Sequence, residues 1–148
     1  MKEYADTRMH TAEHILNQTM VRLFNKGRAF SSHIEKKKSK CDYHFDRNLT
    51  PQEVDEIQRR VNEVIAAGLP VAEKLMPRAG AAQRFDLSRL PEGATADTLR
   101  VITVGDYDSC PCIGQHVANT KEIGVFRIVS TSHENGVLRV RFRIEEAA

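Results

Sequence analysis

The sequence predicts an α+β protein in which a mostly antiparallel sheet is covered by two long helices. Three observations point there. Two segments carry apolar residues at helical spacing, and several others alternate with the two-residue period of strands. The two kinds of segment do not alternate strictly, which argues against a parallel sheet built from βαβ units.

The first helix is read over Thr7 to Asn25. Met9, Ala12, Leu16, Met20, Leu23 and Phe24 form one apolar stripe, and Gly27 is a natural stop. His10 and His14 fall on the margin of that stripe, where a side chain is held by a packed helix and faces a cleft. Phe30 to Phe45 reads as a strand pair or one long curved strand, interrupted by Glu35-Lys36-Lys37-Lys38-Ser39-Lys40. The triple lysine marks a turn or an exposed edge, either discouraging edge pairing or contacting phosphates. Cys41, Tyr43 and Phe45 then share one face.

The second helix has the clearest boundaries. Thr50 is an N-cap, Pro51 sits at the first helical position and Glu53 completes a capping box. Val54, Ile57, Val61, Val64 and Ile65 supply the buried stripe, and Gly68 with Pro70 ends it. Leu69 to Met76 reads as a strand, Arg78 to Arg84 as a short helical turn or loop, and Leu90 to Gly93 as a turn. A strand over Leu99 to Val104 delivers an irregular segment, Gly105 to Cys112, of the kind that carries function. Ile123 to Ser130 and Val137 to Ile144 form a hairpin around Asn135-Gly136. In its second strand Leu138, Val140, Phe142 and Ile144 face one way; Arg139, Arg141 and Arg143 face the other, as a solvated surface or an RNA-backbone contact.

With 148 residues, 41% of them hydrophobic and 28% charged, the chain reads as one globular domain over residues 1–148. No apolar run approaches the roughly 18 residues of a membrane span, and the charged start is no signal peptide. Three cysteines, an odd number, point to a reducing cytoplasm. A net charge of +2 neither demands nor excludes nucleic acid.

Two spaced pairs carry the chemistry: His10-x-x-x-His14 near the start and Cys112-x-x-x-His116 near the end. Residues four apart on a helix lie on one face, so both imidazoles of the first pair can reach one ion. One thiolate and three imidazoles suit tetrahedral zinc, although spacing alone does not bring the two pairs together. Cys110 is a second thiol near Cys112 and competes as a ligand.

The segment His10-Thr11-Ala12-Glu13-His14-Ile15-Leu16 resembles the H-T-A-x-H-x-L opening of the alanyl-tRNA synthetase editing domain and its free-standing AlaX-type relatives. Cys112-Ile113-Gly114-Gln115-His116-Val117-Ala118-Asn119-Thr120-Lys121-Glu122-Ile123-Gly124 is similar to that family's C-x-G-T-H-V-x-x-T-x-E-I-G segment. Leu49 to Val54, Leu69-Pro70, Val104 to Asp106 and Val125 to Ile128 also fit in order, and the threonyl-tRNA synthetase editing domain shares the His/His/Cys/His pattern.

The resemblance implies hydrolysis of mischarged tRNA, seryl- or glycyl-tRNA(Ala), with the enzyme engaging the acceptor end. It implies zinc held by His10, His14, Cys112 and His116. A chain of this length has no nucleotide-binding fingerprint and no room for a charging module, so it is expected to act in trans. Two departures from the family pattern bear on specificity. Gln115 stands where the family has threonine, and joins His10 and His14 as a candidate catalytic group that alters the pocket or places water. Ser31, Ser32 and His33 replace a glycine-containing stretch and are candidate substrate-binding residues. The alternatives are a non-catalytic, metal-stabilised RNA-binding or interaction module, editing of seryl-tRNA(Thr), and a metallohydrolase of small esters.

Overall fold

The computed structural model describes residues 7–80, 98–112 and 114–146. Helix α1 (Thr7–Phe24) is followed by strands β1 (Ser31–His33) and β2 (Ser39–His44), helix α2 (Pro51–Ala67) and strands β3 (Val71–Pro77), β4 (Thr98–Val104) and β5 (Asp108–Pro111). A single 3-10 turn (Thr120–Glu122) leads into β6 (Val125–Glu134) and β7 (Val137–Glu145). Residues 78–80 are helical; the rest of the predicted Arg78–Arg84 turn and the Leu90–Gly93 turn lie outside the described residues.

The α+β class holds, with every strand pair among the described residues antiparallel. The strands form two sheets: β1-β2-β7-β6 and β3-β4-β5. The segment after β4, expected to be irregular throughout, turns at residues 105–107 and returns as β5, paired to β4 from Val104↔Asp108 to Val101↔Pro111. Pro111 closes the strand, where its missing N–H removes little from the ladder.

Helix α2 ends as its sequence dictates. Thr50 Oγ1 accepts from the Glu53 amide at 3.1 Å while Glu53 Oε1 accepts from the Thr50 amide at 2.9 Å. Gly68 then takes φ +68°, the left-handed conformation that glycine enters without steric cost. Ile57, Val61 and Ile65 are buried. The same helix reaches an exposed sheet edge with its amides: Asn62 Nδ2 donates to the Phe126 carbonyl at 2.9 Å and Asn62 Oδ1 accepts from the Phe126 amide at 2.8 Å. Gln58 Oε1 accepts from the Ile128 amide at 2.8 Å.

Helix α1 departs from a simple amphipathic reading. Besides Met9, Ala12, Leu16 and Met20, its residues Thr11, Glu13, His14, Ile15, Asn17 and Thr19 are buried. The helix meets α2 and β7, and β5 also packs on it, so little of its middle faces water. Apart from His14, whose Nδ1 has no hydrogen-bond partner, the buried polar groups there are paired, as the accounting for a dry interior requires. Asn17 Oδ1, for example, accepts from the Tyr43 hydroxyl at 2.8 Å and the Ala29 amide at 3.0 Å. Tyr43, Phe126, Phe142, Ile15 and Ile57 are among the largest fully buried side chains of the core. The turn Asn135-Gly136, both at positive φ, joins β6 to β7 in the geometry that a two-residue hairpin favours. No helix among the described residues is long and apolar enough to cross a membrane.

Candidate metal centre

One turn of α1 supplies His10 and His14, and the segment after β5 supplies Cys112 and His116. One potential donor atom from each of the four lies within 4.8 Å of the others. The first pair owes its alignment to helical periodicity. The second pair does not: residues 112 and 114–117 are neither helix nor strand, and their shape is held by side chains from elsewhere. Arg100, on β4, donates through Nη1 to the Cys112 carbonyl at 3.1 Å and the Gly114 carbonyl at 2.6 Å. Its Nε pairs with Glu73 across the sheet. Gly114 lies against His10, since a Cβ there would stand 1.8 Å from His10 Cε1.

The orientation of His116 follows from counting hydrogen bonds at Thr11. That hydroxyl lies 3.0 Å from the Thr7 carbonyl, accepts from the Val117 amide at 3.2 Å, and lies 3.0 Å from His116 Nδ1. A hydroxyl has one hydrogen to donate, and the Thr7 carbonyl can only accept. His116 Nδ1 must therefore carry the proton, which leaves a lone pair on Nε2. That Nε2 is buried and has no hydrogen-bond partner. An orphaned imidazole nitrogen beside a thiol and two further imidazoles is the donor set that divalent zinc takes.

His14 is backed by a carboxylate. Its Nδ1 stands 3.5 Å from Asp108 Oδ2, a charge contact too long to count as a formed hydrogen bond. Asp108 is fully enclosed, taking Arg28 Nη1 at 2.6 Å, Arg28 Nη2 at 3.2 Å and Gln18 Nε2 at 2.9 Å. Burial opposes ionisation of Asp108, but His14 and Arg28 outweigh it and hold the carboxyl well below its usual range. Burial likewise opposes a charge on His14, yet Asp108 and Cys112 raise it to about 9. For Cys112 burial favours the thiol, and the three imidazoles overcome it, bringing it down to about 3. His116 is lowered by its burial. The cluster therefore stabilises a thiolate, the form in which cysteine ligates metal.

On the other side of His10, Glu13 is buried with Oε1 3.6 Å from His10 Nε2, and its Oε2 accepts from Ser32 Oγ at 2.7 Å. The expected substrate-binding trio is thus divided. Ser32 faces the cluster, whereas Ser31 and His33 are exposed on the opposite side of β1, because successive strand residues alternate faces. Gln115 is exposed next to His116. Cys110, half-buried and raised to about 11 chiefly by burial, donates to the Pro111 carbonyl at 3.4 Å and stands outside the four-residue group. Glu13, Asp108, Arg28 and Arg100 were not singled out by the sequence reading. An acid between the two helical histidines was visible there, but a charge on a helix ordinarily reads as a solvated face.

Residues 99–145 match the family described as the threonyl and alanyl tRNA synthetase second additional domain. The alanine–tRNA ligase of Methanococcus vannielii is 32% identical over 139 residues, 91% of this chain and 16% of that protein. That of Bacillus subtilis is 36% identical over 124 residues, 83% of this chain and 14% of that protein. That of Fervidobacterium nodosum is 34% identical over 142 residues, 95% of this chain and 16% of that protein. The chain thus spans about one sixth of the length of the curated relatives it matches. From β4 into β7 the chain thus matches the threonyl and alanyl tRNA synthetase second additional domain, and over most of its residues it is similar to one segment of alanine–tRNA ligases.

Proposed function

We propose that the His10, His14, Cys112 and His116 cluster is the centre of an aminoacyl-tRNA deacylase that holds one zinc ion and removes a small wrong amino acid, serine or glycine, from tRNA(Ala). The observation that carries this reading is the convergence of four zinc-type donors from two distant segments within 4.8 Å. The relatives are alanine–tRNA ligases, which accounts for the choice of tRNA(Ala).

An aminoacyl ester is already activated, so the site need only position the ester and water and stabilise the charge that develops on the carbonyl oxygen. Zinc bound here would supply Lewis-acid polarisation or a grip on the substrate's amine. The protein's own part is orientation. Thr11 holds His116 by Nδ1, Asp108 backs His14, and the Arg100 clamp sets the loop bearing Cys112. Glu13, buried beside His10, offers a carboxylate to a cationic amino group, and Ser32 holds that carboxylate in place. Gln115, beside His116, can both donate to and accept from a polar substrate side chain such as serine's.

The test is deacylation of seryl-, glycyl- and alanyl-tRNA(Ala) by the purified protein. Faster loss of serine or glycine than of alanine is the expected result. Decay of all three at the buffer rate would overturn the reading.

A further inference from the structure

The cations on the outer face of the four-stranded sheet are not all used alike. Arg139 is held by Asp42 through two contacts of 2.8 and 2.9 Å, and Arg127 and Arg143 share Glu145 at 3.1 and 2.6 Å. Among the described residues Arg141 makes no ion pair, its side chain donating to Ser130 Oγ at 3.5 Å, and Lys40 makes none either. The register sets His33 opposite Lys40 and Lys40 opposite Arg141, and directly opposed residues share a face. Together with Glu35, Lys38 and Ser39 they line a cavity of about 260 Å³. Three cations and one carboxylate thus line the cavity; Asp42, whose carboxylate also feels Lys40 and Arg141, is bonded to Arg139, and the exposed Lys36 and Lys37 stand in the adjoining turn. Charge left uncompensated in a concavity raises the local concentration of anions.

The layout favours a chain of phosphates over one small anion. Neighbouring strands lie about 4.8 Å apart, so His33, Lys40 and Arg141 spread their polar groups over roughly 10 Å. A phosphodiester backbone covers that span and a single phosphate does not. Edge strand β1 lies between the cavity and the Glu13 side of the metal centre. Ser32 points inward to Glu13 beside His10, and His33, the next residue, points outward into the cavity. An RNA whose charged end reaches the cluster can pass over this edge.

We propose that this cavity and its lysine turn seat the phosphate backbone of the tRNA acceptor stem, with Lys40 and Arg141 as the central contacts. The assignment rests on the reading of mischarged tRNA as substrate. It gives the triple-lysine turn and part of the arginine row one shared role, and it makes His33 a contact of the stem and not of the amino acid.

The experiment measures binding of a fluorescently labelled acceptor-stem RNA hairpin ending in CCA, over a range of salt concentrations. The variants are Lys40→Gln, Arg141→Gln and Lys38→Gln, compared with Lys74→Gln on the other sheet, where the lysine is exposed. Lys38 lies in the turn outside any strand, so its variant reports even if a strand substitution disturbs folding. Each of the first three should weaken binding by about three- to tenfold and lower the slope of log affinity against log salt by about one. Three variants that match Lys74→Gln in affinity and slope would overturn the proposal. Deacylation assays on the same proteins keep the two readings separate. Hairpin binding that depends on these residues, in a protein that deacylates nothing, supports the seat and removes the hydrolytic reading. Deacylation by the wild type with hairpin binding indifferent to all three removes the seat alone.

Discussion

Gly114 exists to make room for His10. A Cβ at residue 114 would lie 1.8 Å from His10 Cε1 and 2.3 Å from Nδ1, closer than any packed structure allows. The Gly114→Ala variant should therefore push the His10 ring out of the cluster, because the atoms its Cβ meets belong to a side chain that can turn away. Zinc affinity is expected to fall by about 10- to 100-fold, the scale of disturbances to a ligand's support. Competition with a chromophoric chelator measures it, and unchanged affinity would mean that His10 is not a ligand.

The Thr11 hydroxyl serves both the His116 ring and the Val117 amide. Thr11→Val keeps the shape and removes the acceptor, stranding two donors that the structure otherwise satisfies. A cost of about 1–3 kcal/mol in urea unfolding is expected, with weakened zinc binding, and Thr11→Ser should restore both. A valine variant with wild-type metal affinity would argue against the tautomer assigned to His116.

Near-stoichiometric zinc is expected in protein purified without added metal, and its loss in His14→Ala. After chelation, Cys112 should be the first thiol alkylated at mildly acidic pH, because its thiolate forms at about 3 while Cys110 is raised to about 11 and Cys41 is buried. Readdition of zinc should protect it. Peptide mass spectrometry identifies the modified residue; preferential labelling of Cys110 would contradict the assignment.

Acid stability depends in part on the start of α2. Glu53 is lowered from 4.5 to about 2, first by Arg47 and then by the Thr50 amide. A depressed carboxyl stabilises the fold at pH values above its ordinary range and loses that contribution as pH falls from about 4.5 towards 2. Arg47 is half exposed, so solvent screening limits the effect to about 1 kcal/mol. Glu53→Gln should thus be less stable than wild type at pH 7, with the difference closing as pH falls from about 4.5 to about 2. Urea titrations across this window check the sign.

Gln115→Thr should leave zinc content unchanged and shift the ratio of seryl- to alanyl-tRNA deacylation. Loss of one substrate hydrogen bond corresponds to roughly 5- to 150-fold. The ratio of initial rates is the measurement, and an unaltered ratio would reduce Gln115 to an exposed neighbour of His116.

What could be read in the sequence was what local patterns encode. The boundaries of α2 follow from Thr50, Pro51, Glu53 and Gly68, all within one helix length, and the His10/His14 pair follows from one helical turn. The β6–β7 hairpin was visible in Asn135-Gly136, although β6 runs on to Glu134. The supports of the site were not visible, because each acts across the chain: Arg28 meets Asp108 over 80 residues and Thr11 meets His116 over 105. Strand β5 was hidden because Gly105 to Cys112 is rich in turn residues, and only pairing with β4 makes part of it a strand. The division of Ser31, Ser32 and His33 between two faces is a matter of register, and a three-residue strand carries too little pattern to reveal it.

The amides of Asn62 and Gln58 have a consequence beyond tying α2 to β6. Strand β6 is the last of its sheet, and the backbone groups of an outermost strand invite a second molecule to add its own. Here the Phe126 and Ile128 positions are already occupied by side chains that mimic a neighbouring strand. That half of the edge is closed to intermolecular pairing, so the protein resists templated self-assembly there without giving up any apolar residue of its core. A concentrated solution of Asn62→Ala with Gln58→Ala would then be the place to look for fibrils.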